Sequence, residues 1–428
     1  MAVAGRFSAR SVMGTKLRTT RSAGLLAQSF VGRRHNWVWL GLVFSSVLVV
    51  RLLLSPAADL RSSDVPHSPP KATKGFFYQR DIVSDVPWSI HIGRLDLSNP
   101  DYELHTTLAQ STVFGLGILS DQVKLLPPEI GRPLAAVSGD FHHNERGPYQ
   151  GDPIGLQIMQ SELVSGPCER TCFWIDAEGN PQMTNVLSRF QITWPGGAVT
   201  PFGLNEERTN HGAVLYTPRL GPSTRSSGGR ELILERDGDS RWLPLQAGQT
   251  YSARVREVRE AGDTPLSSNI LVLSLSSQLL AEVPKVGPGS ILKISTATLP
   301  DLNGVKTAIG GGPTLVRDGK TMQWHGPQPR HPRVAVGWNK TNLFLVEVDG
   351  RQRALSIGMT FPELADYMVK LGCEEAMNLD GGGSATFWLY GQVANSPSEG
   401  KERPLANGLA IVRKDKAAQA RHAKPVSD

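Results

Sequence analysis

From Phe76 to about Val412 the apolar residues come in short runs broken by Gly, Pro and Asp-Gly. That texture predicts strands joined by tight turns. Residues 314–324 (TLVRDGKTMQW) and 232–245 (LILERDGDSRWLPL) each read as a hairpin closed by a two-residue Asp-Gly turn. One segment has a helical period instead. Thr360 and Glu363 form a capping box, Pro362 fits the first turn, and Phe361, Leu364, Met368 and Leu371 share one face before Gly372. No period of 20–50 residues suggests a repeat architecture. The fold class expected is therefore α+β, a strand-rich mixed sheet with few helices.

The strand-like residues 343–348 before the helix and 376–379 after it end at Asp349 and Asp380. If they are parallel neighbours joined by a right-handed crossover, both acids sit at one edge of a sheet and share a cleft. The competing reading makes Asp349-Gly350 an ordinary hairpin turn.

The ends of the chain differ from its middle. Residues 37–54 are apolar except for Arg51, long enough to span a bilayer as a helix, and they follow a leader with no acid. The formal charge of +6 includes seven basic residues in 1–36 (Arg6, Arg10, Lys16, Arg18, Arg21, Arg33, Arg34), so removing them leaves −1. The folded part thus has no excess charge for nucleic acid, and none is expected as a partner. The basic flank predicts a signal anchor with everything after Leu54 on the outer (periplasmic or extracellular) side; a cleaved signal peptide, giving a secreted protein, is the alternative. Cys168 and Cys172, four apart, are close enough for a local disulfide in an oxidising compartment, while Cys373 reads as buried and inert.

Asn378-Leu379-Asp380-Gly381-Gly382-Gly383-Ser384-Ala385-Thr386 places one carboxylate before three glycines and a hydroxyl. A plain turn needs one or two glycines, so three imply a close approach to the backbone. Their amides are expected to form an anion nest, with Ser384 as a further donor. No Lys follows to make a nucleotide loop, and no Gly-x-Ser-x-Gly elbow appears. No cofactor is certain from these motifs. A divalent cation is left open, since Asp140, Asp349 and Asp380 with Asn378 offer oxygen ligands, although no standard calcium loop is present.

The blocks HPRVAVGWN, LVEVDGRQ, GMTFPELADYMVKLGC, AMNLDGGGSAT and VANSPSEGKERPLANGLAIV, preceded by VSGDFHHN, GDPIGLQI and AIGGGPTLVRDGK, resemble the phosphodiester glycosidase family over about residues 130–413. The resemblance implies hydrolysis of a sugar whose anomeric carbon is esterified to a phosphodiester, releasing sugar and a phosphate monoester. Together with the charge and hydropathy of the ends, it divides the chain into a basic leader (1–36), an anchor (37–54), a flexible linker (55–75), a strand-rich N-terminal extension (76–129), the glycosidase domain (130–413) and a polar tail (414–428).

Breaking that bond develops positive charge on the ring and negative charge on phosphate. Asp380 is the first choice as nucleophile or general base, Asp349 the second, and His331 a general acid. Arg333 and Arg403 would grip the phosphate in two-pronged fashion. Gly381, Gly382, Gly383, Ser384, Asn395, Asp140, Gly311 and Gly312 complete the expected substrate-binding set. The substrate is then a sugar phosphodiester or envelope glycan, and the membrane is contacted through the N-terminal helix. The alternative is a non-catalytic envelope protein that binds glycan or assists exopolysaccharide assembly.

Overall fold

The computed structural model describes residues 74–415. The leader, the apolar run 37–54, nearly all of the linker and the tail from 416 lie outside the described residues. Among the described residues no helix is long and apolar enough to cross a membrane.

A seven-stranded sheet organises the half of the molecule that matters for function. Its order is Phe76–Val83, Trp88–Asp96, Asn342–Val348, Arg333–Trp338, Glu375–Leu379, Thr314–Arg317, Lys320–Thr321, with every neighbour antiparallel. Helix Phe361–Lys370 covers one face, burying Leu364, Ala365 and Met368 against Ile92, Val346, Ala335 and Ala376. A five-stranded sheet covers the other, where Val137, Phe387, Leu409 and Ile411 meet Val334, Val336, Leu345 and Met377. Being covered on both sides explains why Leu343 to Val346 read as a continuous apolar run rather than an alternating one, with Glu347 the one break before Val348. Burying Leu364 and Met368 contributes roughly 1.5–3 kcal/mol apiece. The helix itself is as the sequence implies: Thr360 and Glu363 make both bonds of the capping box, and Gly372 takes a positive φ of 87° just past the end.

A second core lies in an eight-stranded sheet built from residues between Leu187 and Leu299, filled by Ile192, Leu232, Tyr251 and Leu273. A smaller five-stranded sheet, which includes Thr171–Ile175 and Thr307–Gly310, joins the two cores. Trp174 and Ala308 belong to the second core, whereas Phe173 and Ile309 face the first.

Two expectations need correction. The hairpin at 314–324 forms, with Val316 opposite Thr321 around Asp318-Gly319. The one at 232–245 does not: strand Arg230–Arg236 pairs with Thr250–Arg259, and residues 237–249 form a long loop. Here a cis Leu243–Pro244 peptide and buried Trp242 and Leu245 take the place of a returning strand. The strands of residues 76–129 join those of the later chain, since Trp88–Asp96 pairs with Asn342–Val348 and Tyr102–Thr106 with Gly408–Arg413. Finally, Asn342–Val348 and Glu375–Leu379 run in the same direction but are not neighbours, because Arg333–Trp338 lies antiparallel between them.

Candidate active site

Both acids do end their strands at one sheet edge, where Arg333 begins the strand between them. They nevertheless point to different places. Val334 lies opposite both Glu347 and Leu379, so these three share a face, and by strand alternation Asp349 follows Glu347 while Asp380 steps off the other side. Asp349 is fully buried and its oxygens are committed. Oδ2 accepts from the Ser89 hydroxyl at 2.8 Å and lies 3.3 Å from His91 Nε2, and Oδ1 accepts from the Ser396 amide at 2.7 Å. It is an anchor of the loop, neither a simple hairpin turn nor a second acid beside Asp380.

Asp380 sits differently. Its side chain is 15% exposed and 3.8 Å from Nδ1 of His142. Burial pushes its carboxyl up to about 7, with the nearby Asp140 adding to the rise and hydrogen bonds from Ser384 and the Gly381 amide, together with Arg403, opposing it. Burial holds His142 below its usual range, and Arg403 and His143 add to the effect, so the imidazole beside Asp380 is neutral near pH 7. Sequence reasoning passed over His142. The quoted block VSGDFHHN contains it, but two adjacent histidines gave no reason to prefer one; burial separates them, since His142 is buried and His143 exposed.

The three glycines hold the rest of the site. A Cβ on Gly383 would lie 2.1 Å from Arg403 Nη2, and one on Gly382 would lie 3.2 Å from Arg351 Nη2. Two guanidinium groups thus rest on adjacent glycines next to Asp380. Gly382 also takes a φ of 61°, and Arg351 a φ of 60°, a conformation that side-chain-bearing residues rarely hold without a reason. The expected nest of free amides is not what the glycines supply: Gly382 donates to Pro332 O at 2.8 Å, and the Gly381 amide serves Asp380 itself. Arg351, also missed, follows directly on Asp349-Gly350 and reaches His331 Nδ1 at 3.3 Å. His331 is held below its usual range by burial and by Arg333 and Arg351, so it too is neutral. Arg403 is half-exposed and ion-paired to Glu399.

Other expected site residues have structural duties. Arg333 is buried, donates from Nε to Met359 O and from Nη2 to Pro329 O, and stacks on Phe361 at 3.9 Å; it is not an open anion fork. Asn395 spends its amide on Ala385 O and Asp349 and its carbonyl on the Phe387 amide. Asp140 is sealed behind Asp380, accepting from the amides of Phe141 and Gly155 at 2.8 Å each; burial raises its carboxyl to about 6. A Cβ on Gly310 would come within 2.3 Å of Asp140 Oδ2, so the glycine run there lets a strand pass the carboxylate. The amides of Gly311 and Gly312 donate to Thr171 O and Asn378 O, and Asn378 itself donates to Gly312 O, so these residues tie strands together. Asp140, Asp349, Asp380 and Asn378 form no common cation cage. Cys168 and Cys172 are unlinked, contrary to the expected disulfide, and burial pushes the Cys172 thiol up to about 12.

Residues 247–412 match the phosphodiester glycosidase family. Among individual proteins, the N-acetylglucosamine-1-phosphodiester alpha-N-acetylglucosaminidase of Bos taurus is 44% identical over 68 residues, 16% of this chain and 12% of that one. The SPbeta prophage-derived uncharacterized protein YomE of Bacillus subtilis is 33% identical over 124 residues, 28% of this chain and 19% of that one. The chain thus spans less than a fifth of the length of these curated relatives. Two solved structures share the fold: a hypothetical protein from Synechocystis (TM-score 0.64, 20% identity, 81% of this chain and 64% of that one) and a putative exported protein from Burkholderia pseudomallei (TM-score 0.59, 21% identity, 76% and 74%). His331, Arg351, Asp380 and Arg403 fall inside the family match, whereas Asp140 and His142 lie before it.

Proposed function

We propose that this protein hydrolyses glycosyl-1-phosphodiesters, with Asp380 as general base. The observation that carries the reading is a carboxyl with a pKa of about 7 under two guanidinium groups carried by adjacent glycines. A group that titrates near neutrality is matched to proton transfer and is too often protonated to be a strong nucleophile. Asp380 takes a proton from water as its oxygen bonds to the anomeric carbon. The bond from that carbon to the phosphodiester oxygen breaks, and its electron pair leaves with the phosphate. Arg403 and Arg351 stabilise that departing charge, and neutral His142 and His331 supply further hydrogen bonds. Phosphate is already a good leaving group, so no strong general acid is required.

The family match and the name of the Bos taurus relative support N-acetylglucosamine-1-phosphodiesters as the first substrate to try. The full chain incubated with such a phosphodiester carrying a simple alkyl group should release free sugar and the alkyl phosphate monoester. Release of sugar phosphate and free alcohol would mean that the phosphorus–oxygen bond is cut instead, and would overturn the assignment. Binding of substrate with no turnover would favour the glycan-binding alternative. The outer side of a membrane is the location we propose, from the basic leader and the apolar run alone, because the free cysteines remove the support a disulfide would have given.

A further inference from the structure

Glu347 interrupts the apolar run of strand Asn342–Val348 in a place where a charge is costly. It is 0% exposed, and neither carboxylate oxygen makes a hydrogen bond; the Asn395 amide beside it donates instead to Asp349 and Ala385. Directly across the strand pair stands His91, and two residues on, along the same face, stands Asp349. One ligand atom from each of the three lies within 4.8 Å of the others, and all three side chains are buried. Two carboxylates in a dry interior need compensation, and no Lys or Arg is hydrogen-bonded to either of them.

We propose that His91, Glu347 and Asp349 bind a divalent transition-metal ion of the zinc or manganese class, which ties strand Trp88–Asp96 to strand Asn342–Val348 beneath the Arg351 loop. Two carboxylates and a neutral imidazole balance a dication in charge, and the donor set chooses among dications: one imidazole nitrogen with carboxylate oxygens suits zinc or manganese better than calcium, which wants six or more oxygens. The outer partners are already in place. His91 Nδ1 meets the Tyr78 hydroxyl at 2.8 Å, which leaves Nε2 to face Asp349, and the Ser396 amide and Ser89 hydroxyl orient the Asp349 carboxylate. Such second contacts are what metal-binding histidines and carboxylates characteristically have. The site is closed to solvent and separate from Asp380, so its role is to hold the fold rather than to activate water.

The test needs no substrate, so its outcome is independent of the hydrolysis reading. The full chain is stripped with a chelator, desalted, and equilibrated with zinc or manganese alone; retained metal and melting temperature are then measured. About one equivalent retained, with a raised melting temperature, is expected, and Asp380→Asn should behave the same. Glu347→Gln should weaken retention by at least ~10-fold, since even outer-shell changes reach that size. If that variant does not fold, His91→Gln serves in its place, and the stripped-versus-loaded comparison on the unaltered chain stands alone. Retention no greater than a buffer blank, equal melting temperatures, or undiminished metal in a folded Glu347→Gln would each overturn the proposal.

Discussion

Asp380 Oδ2 stands 3.8 Å from His142 Nδ1, although the two residues are 238 positions apart and belong to different sheets' loops. The separation is longer than a hydrogen bond and leaves the carboxylate free to accept from water, and the neutral ring adds no charge of its own to oppose the raised pKa. Asp380→Asn preserves shape and removes the base. Hydrolysis should fall by ~10²–10⁴-fold, with substrate-analogue binding retained and the melting temperature unchanged or raised. Near-normal turnover in that variant would remove Asp380 from the chemistry.

The same acid links stability to pH in the opposite sense to activity. Its carboxyl ionises at 3.8 ordinarily and at about 7 in the folded protein. Between those values the native state keeps a proton that the unfolded chain has released, so stability falls as pH rises, by about 1.4 kcal/mol per pH unit and at most about 4 kcal/mol in all. A general base works in reverse, and kcat/KM should climb through an apparent pKa near 7. Denaturant unfolding of the unaltered chain and of Asp380→Asn across pH 4–8 should show stability curves that diverge in the variant's favour as pH rises. Parallel curves would mean that the carboxyl is not held protonated by the fold.

Much of this site was legible in the sequence because its signals are local. Asp380, the glycines and the capping box of Thr360 and Glu363 each depend on residues within a few positions of one another. The misplaced acid, arginine and histidine were long-range failures. Whether Asp349 or Asp380 faces the cleft depends on the register against Arg333–Trp338, which no run of residues encodes. That Arg333 is spent on carbonyl groups while Arg351 and Arg403 cover the glycines is decided by packing across the sheet edge. His142 reaches Asp380 only because its loop, after strand Arg132–Ser138, folds beside the strand that Asp380 ends.

Arg333→Lys provides a check on that reassignment. Lysine cannot span Met359 O and Pro329 O at once, nor stack flat on Phe361. The expected result is a loss of roughly 1–3 kcal/mol of stability, with affinity for the phosphodiester and for free sugar changing in step. A selective loss of phosphodiester affinity at unchanged stability would restore Arg333 to the anion site.

The cysteines can be examined in the native protein. Cys168 is exposed, whereas Cys172 and Cys373 are buried with thiols pushed up to about 12. A thiol alkylating agent followed by peptide mass spectrometry should modify Cys168 in the folded chain and the other two only after unfolding. A linked Cys168–Cys172 peptide in unreduced protein would contradict the arrangement described and revive the argument from an oxidising compartment.

The glycines themselves yield the sharpest test, at Gly383. Its φ lies outside the left-handed region, so alanine imposes no backbone strain, and the three nearest atoms that a Cβ would meet all belong to the Arg403 side chain, the closest at 2.1 Å. Arg403 is half-exposed and flexible, so it can swing away at little cost to the fold. Gly383→Ala should therefore leave the melting temperature near that of the unaltered chain while raising KM for a glycosyl phosphodiester, as Arg403→Ala should too, and the two changes together should cost little more than either alone. Gly382→Val differs, because φ is 61° there and both stability and activity should fall. If Gly383→Ala hydrolyses substrate normally, the glycine serves packing alone, and Arg403 has no part in holding the phosphate.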